Sequence, residues 1–173
     1  MSSSRNAATL LAAFALFPSS LQTTSLGASH SLSARAPADP DACTLLTEDQ
    51  VSAAIEAKSQ PGQHGGKTTT KTCIWSDDPN HGIDHRRVTL AITSLTGFNV
   101  GKTVKQATAE PVAGLGDDAY YMIYRADAPT LVVRKGDTAF NIRLLNGSKT
   151  KAIPMAEVKA RELTLAKAAV AKL

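Results

Sequence analysis

Apolar and polar residues alternate most strictly over residues 87–95, where Val88, Leu90 and Ile92 interleave with Thr89, Ala91 and Thr93. A period of two gives a strand with one strongly apolar face. Residues 70–76 alternate similarly, with Cys73 and Trp75 on one face, and the polar stretch between the two runs predicts a turn that pairs them antiparallel. Three further runs follow. Residues 119–125 carry Tyr120, Tyr121 and Tyr124; residues 130–135 set Leu131 and Val133 opposite Val132; residues 138–145 set Phe140, Ile142 and Leu144 opposite Asn141 and Arg143. Lys135-Gly136-Asp137 is a tight turn between the last two. This is a meander whose half-polar strands imply one packed face and one wetter face.

Two segments carry helical spacing instead. Thr47 and Gln50 stand at the capping-box interval, with Leu46 and Val51 at the staple positions and Glu48 and Asp49 where the helix dipole favours negative charge. Val51, Ala54 and Ile55 give that helix a short apolar face, Lys58 suits its last turn and Pro61-Gly62 sets its latest end. At the other end of the chain Pro154 suits a first helical turn. Met155, Val158, Leu165, Ala169 and Leu173 then keep near-helical spacing, with Glu157, Arg161 and Glu162 assigned to an outer face. Residues 98–109 allow a short helix on Val100, Val104 and Ala107, weakened by Gly101. The expected fold is α+β: an antiparallel sheet of about five strands, a meander, covered by the N-terminal helix and a long C-terminal helix.

The N-terminus changes the picture. Arg5 precedes an apolar run over residues 7–17 that Pro18 breaks; at about 11 residues it suits a secretory signal and is too short for a bilayer span. Small residues place cleavage after Gly27 or Ala28. The expected organisation is a signal peptide over 1–28, a Ser/Ala/Pro-rich flexible linker over 29–41 and one domain over 42–173, with no stable membrane span after cleavage and a secreted or periplasmic location. In an oxidising compartment Cys43 and Cys73, the only cysteines, read as a disulfide that closes a loop of about 30 residues and stabilises the fold by roughly 3–4 kcal/mol.

Composition excludes more than it suggests. Aromatic residues make up only 5% of the chain, so the core is mainly aliphatic. The net charge of +4 is spread along the chain, without the basic stripe and stacking residues that nucleic-acid binding needs. Gly114 and Gly116 lack a following Lys-Ser/Thr and do not open a helix, and Asp117 and Asp118 would repel a phosphate, so a glycine turn is the reading there. As neighbours on an extended chain those two carboxylates point opposite ways, which removes them as a catalytic pair. His81 and His85 have His-x3-His spacing with Asp77, Asp78 and Asp84 nearby, but Pro79 and Gly82 favour a turn over the helix that would align two imidazoles.

The order Asp41-Ala42-Cys43-Thr44-Leu45-Leu46-Thr47, Cys73-Ile74-Trp75, Val112-Ala113-Gly114-Leu115-Gly116-Asp117-Asp118-Ala119, Leu131-Val132-Val133-Arg134-Lys135-Gly136-Asp137 and a terminal helix resembles a family of secreted bacterial domains of unknown function, mainly actinobacterial envelope lipoproteins. The resemblance spans nearly the whole chain after the signal. It implies an extracytoplasmic domain with a disulfide at the positions matching Cys43 and Cys73. The chain departs from it in having Pro40-Asp41-Ala42 before Cys43, without the apolar residue of a lipobox. The family brings no catalytic residues to carry over.

The functional expectation is a non-catalytic envelope module that binds a small ligand, a glycan or another protein and uses no cofactor. Its contact residues are expected among Trp75, Tyr120, Tyr121 and Tyr124, where these lie exposed. The alternative is a secreted metal-dependent hydrolase working from His81 and His85 with Asp84 or Asp77.

Overall fold

The structure is a computed structural model, and it describes residues 40–124, 129–148 and 150–173. The predicted signal segment 1–28 and residues 29–39 of the predicted linker lie outside the described residues. Asp41, assigned to that linker, is built into the domain: its carboxylate accepts from the Cys43 N–H at 2.8 Å and opens a single 3-10 turn, Ala42–Thr44.

Helix α1 (Glu48–Ile55) starts as its sequence dictates. The Thr47 hydroxyl accepts from Gln50 N–H at 3.2 Å, and Thr47 N–H donates to the Gln50 side chain at 2.9 Å. Leu46 and Val51 are both buried, completing the staple. The helix ends well before Pro61, because Glu56 turns left-handed at φ 55°.

Among the described residues the sheet has seven strands, not the expected five. They are β1 (Gln63–His64), β2 (Thr72–Ser76), β3 (Arg87–Thr93), β4 (Thr108–Pro111), β5 (Asp118–Ile123), β6 (Pro129–Lys135) and β7 (Thr138–Leu145), ordered β1-β2-β3-β7-β6-β5-β4 with every neighbour antiparallel. The two unexpected strands are the edges, one of two residues and one of four, too short to show alternation. The β2–β3 pairing and the β5–β6–β7 meander follow the sequence pattern. Between them the chain crosses to the far edge, and β7 returns to pair with β3 from Arg87↔Leu145 to Thr93↔Ala139.

Both faces are covered. On one, Cys73, Trp75, Val88, Leu90, Leu131, Val133, Phe140, Ile142 and Leu144 form a single core with Val51 and Ile55 of α1 and Val158, Leu165, Ala166 and Ala169 of α3 (Met155–Val170). The terminal helices thus share this face, as expected. On the other, helix α2 (Leu95–Gly101) puts Phe98 against Tyr120, Val132 and Ala139. This helix displaces the one expected over 98–109: Ser94 caps it by accepting from Gly97 N–H at 3.0 Å, and the chain then enters β4. Gly101 closes it because a Cβ there would stand 2.2 Å from the Tyr120 hydroxyl, which reaches under the helix to donate to Phe98 O at 2.8 Å.

Candidate functional site

The four aromatic residues separate by burial. Trp75, Tyr120 and Tyr121 are 1%, 3% and 5% exposed, whereas Tyr124, at the end of β5, is 52% exposed. Trp75 shares the main core with Cys73. Tyr120 and Tyr121, adjacent on a strand, enter opposite cores. Each hydroxyl ends on a helix carbonyl, Tyr120 on Phe98 O and Tyr121 on Lys159 O at 2.5 Å. Their burial raises both phenol pKa values. Of the four, Tyr124 alone offers a surface to a ligand.

The His81–His85 segment is a packed turn between β2 and β3. Asp78 accepts from Gly82 N–H at 2.8 Å, a bond that holds its carboxyl below the usual range, and His81 is left-handed at φ 52°. His85 Nδ1 lies 3.3 Å from Asp77 Oδ1, and Asp84 accepts from Ser148 at 2.5 Å. Gly147 presses against this turn: a Cβ there would fall 1.9 Å from the Asp84 carbonyl carbon and 2.2 Å from His85 N. Among the described residues the turn gathers no set of three side chains spaced to hold a metal ion; the one such set, Asp41, Cys43 and His64, lies elsewhere. Asp117 and Asp118 are likewise engaged in structure. Asp117 accepts from Gly136 N–H at 2.6 Å, which lowers its pKa and closes the β6–β7 turn, and Asp118 pairs with Lys102.

What the sequence reading missed is a charged cleft of about 340 Å³, lined by Glu56, Arg86, Lys151, Ile153, Pro154, Glu157 and Arg161 among others. It lies where the end of α1, the start of β3 and the start of α3 meet. The last carbonyls of α1 lack helical donors, and the arginines supply them. Arg161 donates to Ala54 O at 2.6 Å and Arg86 to Ile55 O at 2.8 Å. Arg86 also donates to Lys151 O at 3.1 Å. The Glu56 carboxylate sits between them, 2.5 Å from Arg161 and 3.4 Å from Arg86, and Glu157 approaches Arg161 at 2.5 Å. Burial works against the Arg161 charge, but the hydrogen bonds from Glu157 and Glu56 more than offset it and raise its pKa. The Glu157–Arg161 interval of four residues was a visible signal; the distant Arg86 and Glu56 had none.

The second miss is Glu162, assigned to the outer face and found 0% exposed. Its Oε1 accepts from Leu144 N–H at 2.8 Å, two residues beyond the last β6–β7 pair, Leu131↔Ile142, while Oε2 is buried without a hydrogen bond. The carboxyl therefore takes the place of a missing strand partner. Burial pushes its pKa up to about 8, against the opposing pull of Leu144 N–H and of Arg143 and Lys159.

Cys43 and Cys73 are disulfide-bonded with Cα atoms 5.0 Å apart. Among the described residues no helix is long and apolar enough to cross a membrane. Comparison with protein-family models, with curated proteins and with solved structures finds no match.

Proposed function

We propose that the chain is a non-catalytic extracytoplasmic binding module of the cell envelope, taking an acidic group of a small ligand, glycan or protein into the Arg86–Arg161 cleft. The location is supported by the signal-like N-terminus, by a disulfide compatible with an oxidising compartment, and by the resemblance to secreted envelope domains. The carrying observation is that both guanidinium groups are anchored on backbone carbonyls of α1, independently of Glu56. Glu56 itself is largely exposed, with 56% of its side chain accessible. A ligand carboxylate or phosphate can therefore replace Glu56 between two cations that are already fixed, with Ile153 and Pro154 beside it. The His81–His85 turn offers no comparable arrangement for hydrolysis.

The test is an NMR titration of the wild type and Glu56→Gln with inorganic phosphate and with glucuronic acid. Shifts should concentrate at residues 56, 86, 151–157 and 161. Loss of the competing carboxylate should tighten binding roughly three- to tenfold. Shifts elsewhere, or affinity unchanged by Glu56→Gln, would sink the assignment of the cleft.

A further inference from the structure

Asp41, Cys43 and His64 each offer a ligating atom, and these atoms all lie within 4.8 Å of one another. Cys73 lies beside this group rather than in it: it is bonded to Cys43 and stands directly opposite His64 in the β1–β2 ladder. We propose that cleavage of the Cys43–Cys73 bond converts this corner into a four-ligand zinc site of two thiolates, the His64 imidazole and the Asp41 carboxylate.

Three backbone segments hold the donors in place independently of the sulfur bond. Asp41 and Cys43 sit on the 3-10 turn, which is tied to the sheet by Ala42 N–H donating to Thr70 O at 2.8 Å and by the buried Ala42 and Leu45. His64 is placed by β1, paired with β2 through Gln63↔Ile74 and His64↔Cys73. Cys73 is placed by β2, paired with Leu90 in the sheet. The His64 Nε2 atom already faces the carboxylate, 2.9 Å from Oδ1 and 3.1 Å from Oδ2. Ligand atoms on a zinc tetrahedron are about 3–4 Å apart, given metal–ligand distances of about 2.0–2.3 Å, so Asp41, Cys43 and His64 need only small side-chain rotations, while Cys73 turns its freed sulfur toward them. The side chains of His64 and Asp41 are 41% and 35% accessible, which leaves the ion a path from solvent while Cys73 lies beneath.

In the oxidised protein the sulfurs are spent on each other. A dithiol reductant changes that: it gives two electrons and two protons to the protein disulfide, becomes a disulfide itself, and leaves two protein thiols. Zinc then displaces two thiol protons and binds two thiolates, a neutral imidazole nitrogen and a carboxylate oxygen. The corner thus exchanges one covalent cross-link for a metal cross-link between the same segments, and metal occupancy becomes a reading of redox state.

The full chain, oxidised or reduced with a phosphine, is titrated with Zn²⁺ against a chromogenic chelator, and far-UV circular dichroism follows its fold. The reduced protein should bind one zinc with a Kd below about 1 μM, and the oxidised protein at least about 100-fold more weakly. Reduced His64→Ala and Asp41→Ala should each lose about tenfold or more, and a Cys43→Ser/Cys73→Ser protein should behave as the oxidised form in either condition. With Co²⁺ in place of Zn²⁺, the reduced protein should show thiolate-to-cobalt charge transfer and the strong visible bands of a tetrahedral site. Binding by reduced His64→Ala as tight as wild type would overturn the proposal, since two thiols alone, or an unfolded chain, would then account for the zinc. Equal binding by the oxidised protein would overturn it as well.

Discussion

The Glu162 carboxyl makes the stability of this domain depend on pH in a window where few groups titrate. Its ordinary value is 4.5, and burial raises it to about 8 in the fold. As pH climbs from the lower value, the unfolded chain gives up this proton while the folded chain keeps it, so unfolding becomes more favourable. The contribution is fully present below about 4.5 and is lost progressively up to about 8, at about 1.4 kcal/mol per pH unit. Integrated between pH 5 and 7.5, the loss is about 3 kcal/mol. Replacing Glu162 by Gln removes the titration and retains an acceptor for Leu144 N–H. Urea unfolding of the oxidised protein at pH 5, 6, 7 and 7.5 supplies the comparison. The difference between wild type and variant cancels every other ionisable group. That difference should move by about 3 kcal/mol toward the variant across the series. Curves that stay parallel within about 1 kcal/mol would refute the reasoning and mean that Glu162 ionises in the fold without cost.

Two further perturbations test the packing. Cys43→Ser/Cys73→Ser opens a bridge with a sequence separation of 30. It should lower stability by about 3.7 kcal/mol and, for a domain of this size, the melting temperature by roughly 13 °C, read by calorimetry; a fall under about 3 °C would show that the bridge constrains little. Gly147→Ala drives a methyl group into the Asp84–His85 backbone and should cost about 1–3 kcal/mol, with faster amide exchange confined first to residues 77–85. Unchanged exchange there would mean that the turn is not braced by the end of β7.

Local features of the fold were legible, and the distant pairings were not. The Thr47–Gln50 box, the β2–β3 alternation and the Gly136 turn each carry their signal within a few residues. The β3–β7 pairing joins segments separated by one crossing to the far edge and three intervening strands, and nothing in either strand names the other. The edge strands are too short for a period of two to register, and Pro111 ends one of them. At the cleft, Arg86 finds its role only because α1 stops at Ile55 and exposes a carbonyl beneath it. Glu162 is the instructive error. Val158, Glu162, Leu165 and Ala169 follow at intervals of four, three and four, so spacing put Glu162 on the inner face. A charged side chain is expected outside, and its burial here runs against that expectation. The position of Leu144 N–H, beyond the last β6–β7 pair, supplies the reason for a carboxyl at that point of the core.

The polar groups that the fold draws inward have a common role, since each meets a backbone group where a secondary element stops or a turn closes. Arg86 and Arg161 end α1, the Tyr120 hydroxyl ends α2 and Glu162 extends β7. An unpaired backbone group in the interior costs about as much as a lost hydrogen bond, roughly 1–3 kcal/mol, so these side chains are committed to structure before any function is considered. The corner around the disulfide is different. The His64 imidazole meets only the Asp41 carboxylate among the hydrogen bonds of the described side chains, and it ends no element. The two sulfurs are bonded to each other. Of the four donors only the Asp41 carboxylate also serves the backbone, through Cys43 N–H; the imidazole and, once their bond is cut, the two sulfurs are free to take on chemistry when conditions change. Here that change is the breaking of a single bond, on a frame that the 3-10 turn, β1 and β2 already hold.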